Sequence, residues 1–151
     1  MIDGESGEVL NCDRIPIRSK DFEGKEELKI LHIATTIVAI CKEYNVTHIA
    51  IEDSFIGSKG GVGKTLARLY GGIVTLLLAN DFKLIYSYTP SQWRKITCGY
   101  GKSKEGSAKY IQEHIIDLGE YNDKNNKDKN SDMYDSVGIA YCLFKKINNL
   151  K

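Results

Sequence analysis

Apolar positions change their spacing several times along the chain, and each change marks an element. Between residues 25 and 44, Ile30, Ile33, Ile37, Ile40, Cys41 and Tyr44 recur at helical spacing. THIAIE (47–52) is a short, β-branched apolar run and reads as a buried strand. The glycine-rich GSKGGVG breaks the pattern. A helix follows from about 62 to 79, with Leu66, Leu69, Ile73 and Leu77 on one face. KLIYSY (83–88) is a further strand. Thr89 as cap and Pro90 in first position open a short helix, SQWRKIT, that ends at Gly99. After the loop GYGKS, Ser103 caps a helix running to about 117. GEYNDKNNKDKN (119–130) is polar and low in complexity, which predicts a mobile surface loop, and a last helix spans about 132–148.

The first residues, MIDGESGEVLNCDRIPI, read as the end of one strand, a turn at Asp3-Gly4 and Gly7, and a second strand at 9–17. A hairpin followed by alternating strands and helices predicts an α/β fold, a mixed sheet flanked by helices. With 151 residues and no internal repeat, one domain over 1–151 is expected.

Net charge is +1, so a nucleic-acid partner would have to be met by local basic clusters. Cys12, Cys41, Cys98 and Cys142 form no C-x-x-C pair and read as reduced thiols of an intracellular protein. The N-terminus is acidic and polar, unlike a signal peptide. The longest apolar runs, such as IVTLLL, fall far short of the roughly 20 residues of a membrane span. A cytoplasmic protein with no membrane partner is the expectation.

Acids supply the candidate chemistry. Glu52 ends an apolar strand, where α/β sheets place ligand sites. Asp132 and Asp135, three apart, share one face at the start of the last expected helix. Acids in a first helical turn are also favoured by the helix dipole, so either alone has an ordinary explanation. The run that follows, SVGIAYCLF, must pack closely and holds its opening acids near the core. Carboxylates from a strand end and a helix can hold hard cations such as Mg²⁺. Two such ions about 3.5–4 Å apart activate water against a phosphodiester. Three acids are a thin set for that work, and a fourth would come from an adjacent strand.

KGGVGKT (59–65) resembles a nucleotide-binding loop of the partitioning ATPase type. Five residues separate Asp53 from Lys59, however, and KLIYSY carries no terminal Asp for Mg²⁺. Only 86 residues follow Thr65. A basic loop bringing Lys59 and Lys64 to DNA phosphates accounts for the same residues, and nucleotide binding stands as the alternative. Arg94, Lys95, Lys102, Lys104 and Lys109, with Trp93, form a second basic and aromatic neighbourhood. His32, His48 and His114 are isolated.

Taken together, IAIEDSFIG (49–57), LARLYGGIVTLLL (66–78), YTPSQWRKITCGYGKSK (88–104) and SDMYDSVGIAYC (131–142) resemble the RuvC family of Holliday-junction resolvases, particularly its small phage-type members. The resemblance covers the chain from about residue 15. It implies a ribonuclease-H-like fold, a homodimer, and cleavage of branched DNA in recombination or repair that depends on Mg²⁺ or Mn²⁺. By the same resemblance Glu52, Asp132 and Asp135 are catalytic metal ligands, and Phe55 is a loop aromatic near the junction centre that stacks on an unpaired base. Arg94 and, after a one-residue deletion, Lys104 are basic positions near the scissile phosphate. Lys59, Lys64 and Lys102 join them as expected DNA contacts.

One departure is large. Family members begin with a central strand carrying an Asp ligand in a pattern like G-I-D-x-x-x-x-x-T-G, and no such segment is present. Asp3 reads instead as a turn residue. The expectation is therefore a fold whose central first strand is missing or truncated. Either the sequence is a shortened record of an active resolvase, or it is a shortened form that binds DNA without cutting.

Overall fold

The computed structural model describes residues 1–53, 61–99, 103–118 and 127–150. Within them the chain forms two compact units, one of Met1–Arg14 with Tyr88–Lys151 and one of Ile15–Ser87.

The Ile15–Ser87 unit begins with a 3₁₀ turn, Ser19–Phe22, and then α1 (Glu26–Glu43). A strand–helix–strand crossover follows: β1 (His48–Glu52), α2 (Gly61–Ala79) and β2 (Leu84–Tyr88). The two strands pair side by side in a parallel sheet, which requires the long helical connection that α2 provides. Val38 and Cys41 of α1 meet Leu77 of α2 in the core, and Ile49, Ile51 and Ile85 from the strands pack against them. Apolar spacing selects Cys41 and Leu77 and both strand runs, but it misses Val38, and Tyr44 and Leu66, which it does select, are exposed. A Cβ on Gly72 would lie 2.5 Å from Ile30 Cγ2, so α2 approaches α1 over a face kept bare of side chain. Gly61 to Thr65 belong to the first turns of α2 rather than to a loop.

In the other unit, three helices form the body: α3 (Pro90–Cys98), α4 (Lys104–His114) and α5 (Lys127–Ile147). Thr89 closes a capping box on α3. Its backbone N–H donates to Gln92 Oε1 at 2.8 Å, and its hydroxyl accepts from the Gln92 N–H at 3.4 Å. Ser103 Oγ accepts from the Gly106 N–H at 3.0 Å and caps α4. Both α3 and α4 pack on α5. Trp93, Ile111 and Cys142 are fully buried, and Met133 and Val137 nearly so. The apolar run of the last helix is thus covered, as its composition demands. Thr97 Oγ1 donates to the Gly138 carbonyl at 2.8 Å and locks α3 against α5.

The N-terminal residues make a minimal hairpin, in which the Asp3 N–H donates to the Glu8 carbonyl at 2.8 Å and the Leu10 N–H to the Met1 carbonyl at 2.9 Å. Ile2 and Val9 form one antiparallel bridge, and the strand expected over 9–17 does not continue past this pairing. A strand persists only where a partner supplies a ladder, and Pro16 has no N–H to give one. Asp3 lies in the hairpin's turn. Its Oδ1 accepts from the Ser6 N–H at 2.7 Å, the Ser6 hydroxyl at 2.8 Å and the Glu5 N–H at 3.1 Å. These bonds, the Ser6 N–H foremost, hold its carboxyl below the usual range. Gly7, at φ +76°, passes under Phe144, whose ring would stand 2.8 Å from an added Cβ.

A second difference concerns α5, which begins at Lys127 instead of about 132. Once the apolar stretch is packed, each added helical residue costs little, so the helix extends into the polar segment. The rest of that segment, 119–126, lies outside the described residues. Among the described residues no helix is long and apolar enough to cross a membrane. The four cysteines are free thiols, and burial pushes Cys142 up to about 11.

Two outcomes follow from this packing. A Cβ at Gly138 would stand 2.5 Å from Trp93 Cζ3 and 2.8 Å from Ile111 Cδ1. Gly138→Ala gains about 1 kcal/mol of helix propensity, but overpacking costs about 1–3 kcal/mol. A net loss of stability in urea denaturation is expected, and an unchanged midpoint would refute the close approach. At pH 8, Cys142 should resist iodoacetamide in the folded protein and react once urea unfolds it, as read by mass spectrometry.

Candidate active site

Two of the expected acids are brought together with two of the expected cations, all on the three helices of one unit. Asp132 and Asp135 stand one turn apart on α5. Lys104, the first residue of α4, places its Nζ 2.8 Å from Asp132 Oδ1 and 3.8 Å from Asp135 Oδ2. From α3, Arg94 Nη2 lies 3.7 Å from Asp135 Oδ2. The side chain of Asp135 is 13% exposed and that of Asp132 76%, so the pair runs from the protein interior to solvent.

The extended α5 changes the meaning of these acids. Asp132 and Asp135 follow Lys127 by five and eight residues and so occupy the second and third turns. The dipole's pull on carboxylates fades within the first turn, so it does not account for them. The cations do: the hydrogen bond to Asp132, before any other cause, holds the Lys104 ammonium above its usual range. The Arg94 guanidinium also lies 5.1 Å from the ring centre of the buried Trp93, a cation–π contact that limits its freedom.

Pairing across helices leaves no mark in local periodicity. Lys104 and Asp132 are 28 residues apart, and reading the chain put Lys104 near DNA, not against an acid. Ser136 also carries no signal in the sequence. Its hydroxyl donates to the Met133 carbonyl at 2.7 Å and lies 3.9 Å from Cys12 Sγ, a contact no sequence motif announces.

The other expected residues are placed as follows. Glu52 is half-buried at the end of β1, in the Ile15–Ser87 unit. Lys64 is exposed near the start of α2. Phe55, Lys59 and Lys102 lie outside the described residues. Among the described residues no three His, Cys, Asp or Glu side chains group closely enough to hold a metal ion. Asp132 and Asp135 nevertheless present hard oxygens, and both already approach one cation, the Lys104 ammonium. That donor type suits Mg²⁺ or Mn²⁺, and Mg²⁺ is commonly held by only one or two carboxylates with water and substrate phosphate.

A family model described as "Crossover junction endodeoxyribonuclease RuvC" matches residues 2–143. The chain belongs to the RuvC family. A RuvC of Caldicellulosiruptor saccharolyticus is 25% identical over 139 residues, covering 92% of this chain and 78% of that protein. A RuvC of Sulfurovum sp. is 22% identical over 149 residues, covering 99% of this chain and 87% of the relative. Both are named crossover junction endodeoxyribonucleases. The Thermus thermophilus RuvC structure superposes with a TM-score of 0.72 at 12% identity, covering 99% of this chain and 86% of that one. The fold is therefore the ribonuclease-H-like α/β fold that the RuvC resemblance implies.

Burial separates the two acids energetically. Asp135→Ala leaves the Arg94 guanidinium, 22% exposed, short of its counter-charge and should cost about 1–3 kcal/mol. Asp132→Ala removes an exposed pair and should cost under about 1 kcal/mol. Urea denaturation of the two variants compares them; equal losses would mean that the pairing does not follow burial.

Proposed function

We propose that this RuvC-family protein resolves Holliday junctions or closely related branched DNA by hydrolysing phosphodiesters with a divalent metal ion, Mg²⁺ or Mn²⁺. The observation that carries the reading is the acid pair of α5, set beyond the reach of the helix dipole and gathered with Lys104 and Arg94. Such an arrangement needs a reason other than helix stability, and family membership gives one.

In this reading Asp132, Asp135 and Glu52 are the metal ligands. When bound, the ion supplies Lewis acidity and a water activated as nucleophile. The chain's own groups do the rest. Asp135, largely buried and held by Arg94, fixes the inner edge of the site, while the exposed Asp132 faces the side from which DNA arrives. Arg94 and Lys104 offset phosphate charge as the backbone approaches the carboxylates, and cations of this kind position a strand without reading its sequence. Lys64, with Lys59 and Lys102, extends the contact along the DNA, and Phe55 stacks on an unpaired base. Two copies acting as a homodimer would meet two opposed strands of a four-way junction. The exposed Leu66 and Leu78 of α2 offer apolar surface for that pairing. The whole chain then works as one nuclease domain.

Incubating the chain with a labelled four-way junction and Mg²⁺ tests this. Paired incisions on opposed strands are expected, reduced about a hundredfold or more in Asp135→Asn and in Glu52→Gln. Incisions indifferent to both substitutions would sink the assignment. Tight junction binding with no incision at all would leave a DNA-binding form without nuclease activity.

A further inference from the structure

Lys104 occupies a position that helix electrostatics oppose. It is the first residue of α4, where a positive charge meets the positive end of the helix dipole. Neighbouring Glu105 has the sign that this end favours. What draws the lysine there is the acid pair, 2.8 and 3.8 Å away. The two cations at the pair also differ in freedom. Arg94 is 22% exposed and rests against Trp93, whereas Lys104 is 49% exposed on a flexible four-carbon stem.

We propose that Lys104 is an exchangeable internal cation: it holds Asp132 and Asp135 together while no divalent ion is present, and is displaced from them when one binds. The inference rests on reading these acids as ion ligands. The physical basis is competition for the same oxygens. An ammonium 2.8 Å from Asp132 Oδ1 covers a ligand atom that a divalent ion would need. The pair is mostly solvated, so its attraction is weak, and an ion of twice the charge on two carboxylates outweighs it. Arg94 stays with Asp135 throughout, keeping the inner carboxylate in place. Lys104 is thus a positioning residue, which prevents the two carboxylates from repelling each other apart in the empty site. Once released, its ammonium is free to meet a phosphate on the same side of α5.

Mn²⁺ titration followed by electron paramagnetic resonance, without DNA, provides the test. Removing the competing charge in Lys104→Gln should tighten Mn²⁺ binding about three- to tenfold, and Lys104→Arg should restore the wild-type affinity. In the wild type, the Lys104 ¹⁵Nζ resonance should move toward that of a solvated lysine as Mg²⁺ is added. If Asp135→Asn weakens Mn²⁺ binding but Lys104→Gln leaves it unchanged or weaker, the exchange is wrong and the metal site stands. An unmoved Nζ resonance under saturating Mg²⁺ would overturn the exchange equally. If neither Asp132→Asn nor Asp135→Asn changes Mn²⁺ affinity, the metal reading itself fails, and the exchange with it.

Discussion

The close approach of two helices to Gly138 sets the geometry on which the acid cluster depends. With no side chain at that point of α5, the Trp93 ring from α3 and Ile111 from α4 press against the helix backbone. Trp93 is fully buried, which fixes the rotation of α3 and brings the next residue, Arg94, alongside Asp135. Ile111 follows Lys104 by seven residues, two turns on the same face of α4. Gly138 follows Asp132 by six. At 1.5 Å per residue these are about 10 and 9 Å. A contact made at Ile111 and Gly138 therefore sets Lys104 and Asp132 at similar heights along the two helices, where their side chains meet at 2.8 Å. Two apolar contacts at Gly138, one from each helix, bring the two cations toward the acids.

Charge and packing act in sequence here. Like charges on Asp132 and Asp135, one helical turn apart, repel and destabilise a helix by a few tenths of a kcal/mol. The repulsion is offset by cations that the hydrophobic contacts carry in from other helices. Because Asp135 is mostly buried and Asp132 mostly exposed, one end of the cluster is enclosed and the other open to solvent. On the proposed reading as an ion- and phosphate-binding site, that asymmetry supplies a rigid floor and an accessible rim.

The two units are constructed by different means. In Ile15–Ser87, a β-branched strand, a long amphipathic helix and a second strand form a crossover whose core follows in part from apolar spacing, at Cys41 and Leu77. The other unit rests on capped helices. Thr89 and Ser103 each satisfy a free backbone donor at a helix start, and both caps are visible as residue types in the chain.

By itself the sequence determined the helices and strands from residue 25 onward, the Thr89 and Ser103 caps, part of the core, and the family through its four matching segments. These follow from periodicity and local chemistry, which each segment carries within itself. Two local expectations failed where the deciding interaction was not local. Past Leu10 the strand expected over 9–17 lacked a ladder partner, and α5 extended to Lys127 because packing elsewhere had already offset the cost of starting it. Among the candidate site residues, Asp132 and Asp135 were legible as an i, i+3 pair, but an ordinary first-turn explanation covered either one alone. Only the tertiary structure removed that explanation, by placing them deeper in the helix. It alone joined them to Lys104 and Arg94, because a salt bridge between helices depends on how side chains far apart in the chain are packed, and no local pattern records that.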